Sequence, residues 1–84
     1  MTGIQAANQV VCEKQVHLMR PRKGEPGQYD VKPYCEGSKR GWFYLDLFTA
    51  SYITAVYNAL NESNKAKFAA MPIQKMASVA FKVA

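Results

Sequence analysis

Near Phe48 the chain changes period, and that change restricts the fold more than any motif in it. Before Phe48, short apolar runs are broken by glycine- and proline-rich turns. After it, apolar residues recur at intervals of three and four. An extended half followed by a helical half predicts an α+β domain. A small two- or three-stranded antiparallel sheet would lie in the N-terminal half, packed against two or three C-terminal helices. Eighty-four residues can build one core but not two, so 1–84 is expected to be a single small domain. Hydrophobic residues make up 49% and charged residues 20%, well away from the composition of chains that stay disordered. Residues 1–9 are the one candidate disordered tail.

Two loops divide the extended half. Residues 20–28 hold Pro21, Gly24, Pro26 and Gly27, and residues 36–41 hold Gly37 and Gly41. Proline lacks an N–H and glycine accepts positive φ, so both stretches read as turns. They separate three candidate strands, 10–19, 29–35 and 42–48. A hairpin centred near Lys23 and Gly24 pairs Cys12 with Cys35, Val16 with Val31 and Leu18 with Tyr29. A second turn around Lys39 pairs Cys35 with Phe43, Pro33 with Leu45 and Val31 with Leu47. This meander gives one coherent apolar face, because strand side chains alternate with period two. Pro33 conflicts with it: in a central strand its missing N–H breaks the ladder, which calls for a bulge or a different strand order. The first segment is also ambiguous, since Ile4, Ala7, Val11 and Leu18 approximate helical spacing.

The helical half is plainer. Thr49 or Ser51 can cap a helix whose Ile53, Val56, Tyr57 and Leu60 share one face and which ends near Asn61. Asn61 can cap a second helix over 62–70, with Glu62 favourably placed against the dipole and Phe68 inward. Pro72 then restarts the chain into a last helix with Ile73, Met76, Ala80 and Val83 in a stripe and Phe81 beside it.

Several chemistries are poorly supplied. The chain has two cysteines, Cys12 and Cys35, and one histidine, His17, at spacings that match no familiar zinc pattern. On a strand, Cys12 and His17 would point to opposite faces, so Cys12 reads as a core filler and His17 as a partly exposed strand residue. Glu13, Glu25, Asp30, Glu36, Asp46 and Glu62 are scattered singly and read as solvated charges. No glycine spacing matches a phosphate-cradling loop. The expectation is therefore a protein that is not an enzyme, with no catalytic, cofactor-binding or metal-binding residues and no small-molecule substrate. Met1 to Val11 lacks a basic leader, and no stretch approaches the roughly 20 apolar residues of a membrane span. A soluble, cytoplasmic protein with no membrane role is expected.

What remains is basic and aromatic. Net charge is +5, which favours an anionic partner. Arg20, Arg22 and Lys23 cluster in the first loop and Lys39 and Arg40 in the second. In the meander, Lys32, Tyr34, Trp42 and Tyr44 share the face opposite the core. Rings flanked by cations suit nucleic acid, because bases stack on the rings while the cations meet phosphates. These nine residues form the candidate binding site of a small accessory protein. The alternative is a protein–protein module, a homodimer or an inhibitor or adaptor of a larger protein, using exposed aromatics or the sheet edge; the 42–45 run also reads as a strand buried on both faces, covered by helices or a partner subunit. A helix-turn-helix reading of the last helices fails: only Gln74, Lys75, Ser78 and Lys82 of the final helix are polar enough to meet base edges. Lys65, Lys67, Lys75 and Lys82 read as solvated.

Overall fold

The computed structural model describes residues 1–34 and 40–83. In chain order these form α1 (Gly3–Glu13), β1 (His17–Pro21), β2 (Tyr29–Pro33), β3 (Phe43–Leu45), α2 (Leu47–Ala59), α3 (Glu62–Ala69) and α4 (Ile73–Val83). The fold is α+β, with a three-stranded antiparallel sheet in the N-terminal half and helices that are mostly C-terminal.

The first element corrects the sequence reading. Residues 3–13 are a helix, neither a tail nor the start of a strand. Thr2 caps it in a reciprocal box: Gln5 N donates to Thr2 Oγ1 at 3.2 Å, and Thr2 N donates to Gln5 Oε1 at 2.9 Å. Lys14, in the left-handed region at φ 54°, ends it. Ile4, Ala6, Ala7 and Val10 are buried, and the two alanines let α1 pack closely on α2. Cys12, expected in the core, falls on the exposed side of this helix.

The strand order is β2-β1-β3, with β1 central. Pro33 thus lies on an edge strand, where its missing N–H breaks nothing, and this resolves the conflict that a sequential meander creates. The register also differs from the expected one. β1 meets β2 as His17 with Pro33, Leu18 with Lys32, Met19 with Val31, Arg20 with Asp30 and Pro21 with Tyr29. It meets β3 as His17 with Leu45, Leu18 with Tyr44 and Met19 with Phe43. The shift has a local cause: α1 takes up residues 10–13, and the β1–β2 turn is wide, closed by Arg22 N donating to Gln28 O at 2.9 Å. Gly24 and Gly27 adopt φ of 78° and 81° within that turn, a conformation that favours glycine.

One sheet face carries His17, Met19, Tyr29, Val31, Phe43 and Leu45 into the helices. There Met19, Tyr29 and Leu45 join Ile53 of α2, Phe68 of α3 and Ile73, Met76 and Ala80 of α4 in one core. The faces of β2 and β3 match the expectation, whereas that of β1 is reversed. His17 is buried, not half exposed. Its Nδ1 lies 2.8 Å from Gln15 O, which can only accept, so Nδ1 carries the proton. Nε2 lies 3.6 Å from Glu13 Oε1.

The C-terminal helices follow their spacing closely. α2 begins two residues earlier than Thr49, because Asp46 is its cap: Thr49 N donates to Asp46 Oδ1 at 2.7 Å. Asn61 caps α3 through Asn64 N at 2.9 Å. α4 follows Pro72, which cannot cap with a side chain, and a distant group serves instead. Ile73 N donates to the Tyr29 hydroxyl at 3.0 Å, tying the first turn of α4 to the edge of the sheet. Among the described residues no helix is long and apolar enough to cross a membrane.

Candidate functional site

Among the described residues the helical core packs on one face of the sheet, and the predicted binding residues converge on the other. Antiparallel pairing brings opposed side chains to one side, so the register lays them out in rows. Lys32, Leu18 and Tyr44 form one row. Asp30 and Arg20 lie in the next, which continues to Trp42 just before β3. On the opposite side Tyr34, Val16 and Asp46 extend the alternation, with Tyr34 N donating to Val16 O at 3.1 Å.

The floor of this face is apolar. Leu18 is fully buried beneath its neighbours. The indole of Trp42 draws cations from both other strands, with Arg20 Cζ 4.5 Å and Lys32 Nζ 4.3 Å from its ring. Contacts of this kind are worth about 0.5–1 kcal/mol each at exposed sites and hold long side chains flat over apolar surface. Trp42 is therefore half buried under its own cations, while Tyr44 stays 58% exposed. The Tyr44 ring lies 5.3 Å from that of Tyr34 at 34°. Beside the pair, a recess of about 250 Å³ is lined by Val16, Tyr34, Tyr44 and Asp46.

Asp30 organises the cationic edge. Arg20 Nε donates to its Oδ2 and Arg22 Nε to its Oδ1, both at 3.1 Å. The Arg20 hydrogen bond, and then that of Arg22, hold the carboxyl below its ordinary range. Arg22 also approaches Glu25 at 3.6 Å. Asp30 and Asp46 are thus not merely solvated: the first bridges two arginines and the second caps a helix.

Of the nine predicted site residues, Arg20, Lys32, Tyr34, Trp42 and Tyr44 come together on this face. Arg22 lies at its edge, Lys23 is exposed in the adjoining turn, and Arg40 is exposed in the turn leading to Trp42. Lys39 lies outside the described residues, as does Cys35. The sequence reading missed Leu18, Asp30 and the Val16–Asp46 end. Leu18 was assigned to the core, and only the correct register places Asp30 opposite Arg20. Among the described residues, no three His, Cys, Asp or Glu side chains are grouped closely enough to hold a metal ion.

No family model matches the chain, and neither a curated protein nor a solved structure matches it.

Proposed function

We propose that this protein is a non-enzymatic binding protein for single-stranded nucleic acid, using the uncovered face of its sheet. One observation carries the reading: Tyr44 stands exposed beside Tyr34 on a face where, among the described residues, Arg20, Arg22, Lys23, Lys32 and Arg40 outnumber Asp30, Glu25 and Asp46. A flat strand with an open ring offers a base a stacking surface worth about 1–3 kcal/mol, and the surrounding cations meet the phosphates on either side. A single strand suits this geometry better than a duplex, because bases must be splayed out to reach a ring lying in a sheet.

Trp42 is the sole tryptophan, so its emission reports this face alone. Titration with a short oligothymidylate at low salt should change that emission, and a duplex of the same length should bind more weakly. With three to five cations meeting phosphates, log K against log salt should have a slope of about −2 to −3.5. Absence of binding at low salt would falsify the proposal. A second reading, a protein partner, is favoured by exposed Phe48 and Phe81, which lie on the helical side of the molecule.

A further inference from the structure

The helical side presents a second surface whose chemistry is unlike the first. α2 carries no charged residue in Leu47–Ala59, although the chain has a net charge of +5. Its inward side is spent on Ala50 and Ile53. Its outward side shows Phe48 at 64% exposure, with Phe81 of α4 at 45%. The Phe48, Tyr52 and Phe81 rings form a cluster with centroids 4.9, 5.2 and 6.0 Å apart. Large apolar side chains gathered on a surface mark an interface, whereas single ones need no explanation.

Farther along the same helix the relief inverts. Ala55 and Ala59 are small and exposed. Beside them an open apolar groove of about 540 Å³ runs over Leu60, Phe68 and Val79. A cavity of about 150 Å³ accommodates a benzene ring, so this groove has room for more than one aromatic side chain. A knob and a hole thus lie on one helix, 11 residues apart from Phe48 to Ala59, or about 16 Å along the axis at 1.5 Å per residue.

This geometry points to a second copy of the chain as the occupant. In a two-fold interface the same patch meets itself, with each residue contact occurring twice. Antiparallel pairing of α2 with its mate sets Phe48 of each copy at the level of Ala59 in the other, and Tyr52 opposite Ala55. Both knobs enter both grooves. Charge agrees, because α2 lacks the cations that would repel their counterparts and the salt-bridge partners that a charged foreign segment would need. An aromatic side chain offers about 150–250 Å², so Phe48 and Phe81 at their exposures already supply roughly a fifth to a third of the ~800 Å² per partner of a standard interface.

Sedimentation velocity across a wide concentration range, without nucleic acid, tests the pairing independently of the other face. A reductant is included because Cys12 is an exposed free thiol. The wild type is expected to shift from monomer to dimer with micromolar midpoint. Ala55→Glu, at an exposed position that leaves the fold intact by circular dichroism, should weaken the dimer on the order of a hundredfold or more by burying charge at the seam. Phe48→Ala should weaken it about tenfold. The inference is overturned if the wild type stays monomeric at the highest concentration or if Ala55→Glu dimerises as well as wild type. It is equally overturned if a monomer instead takes up an amphipathic helical peptide in this groove.

Discussion

Replacing Tyr29 with Phe removes one oxygen and isolates one bond. Tyr29 lies on the edge strand with 6% of its surface exposed, and its hydroxyl accepts from Ile73 N at 3.0 Å across 44 residues of chain. The first N–H of a helix has no partner inside the helix, and Pro72 offers no capping side chain, so the hydroxyl is what satisfies it. The ring itself stays packed, edge-on to Phe43 at 6.5 Å, so no cavity opens. The cost is that of a buried donor left unpaired, about 1–3 kcal/mol. A midpoint value of about 2 kcal/mol corresponds to a fall in Tm of roughly 8–16 °C for a domain of this size. Urea denaturation should show a lower midpoint with an unchanged slope, because the surface exposed on unfolding is the same. Tyr52→Phe, whose hydroxyl makes no such bond among the described residues, is the control and should fall within about 0.5 kcal/mol of wild type. If Tyr29→Phe and Tyr52→Phe were equally mild, the link between the α4 terminus and the sheet edge would not be a stabilising one.

Three further substitutions examine the open face. Leu18→Ala should destabilise by about 2–3 kcal/mol in denaturant melts, the lower part of the range for buried leucine, because the Trp42 and Tyr44 side chains above it can settle; a neutral result would mean that Leu18 is not sealed. Tyr44→Ala should weaken oligothymidylate binding about 5- to 150-fold while Tyr44→Phe retains it, as read by Trp42 fluorescence. Asp30→Asn should act in the opposite direction, releasing Arg20 and Arg22 toward phosphate, so that affinity and salt dependence both rise. The same variant reports on pH. The folded-state carboxyl titrates below the ordinary value of 3.8, so the ion pairs contribute stability above that value and lose it as the pH falls through the lowered one. Wild type and Asp30→Asn should therefore differ by a constant amount near neutrality and converge in acid.

How far the sequence carried depends on whether the deciding interaction is local. Asn61, Glu62 and Pro72 act within a turn of themselves, so the limits of α3 and the start of α4 were readable from single residues. The conflict at Pro33 was equally legible, but the missing N–H alone left a bulge and a different strand order both open, and the order β2-β1-β3 decides between them. The β1 register was not, because it depends on where α1 ends, and α1 is fixed by a capping box at Thr2 and Gln5 that competes with a strand-like run at Val10 and Val11. Slipping that register reverses every side chain of the strand. Leu18 consequently left the core for the floor of the open face, and His17 and Met19 took its place. The aromatic face survived the error because Tyr34, Trp42 and Tyr44 sit on the other two strands, whose alternation was read correctly. Asp30 did not, since its pairing with Arg20 exists only in the true register.

The division of the molecule into a cationic aromatic sheet face and an apolar helical face is best tested by mapping amide and indole NMR shifts as oligothymidylate is added at low salt. The indole N–H of Trp42 and the backbone signals of Arg20, Lys32 and Tyr44 should move together and saturate, while those of Ala55, Ala59 and Val79 stay in place. Shifts confined to α2 and α4, or none at all on β1, β2 and β3, would contradict the assignment of nucleic-acid binding to the sheet.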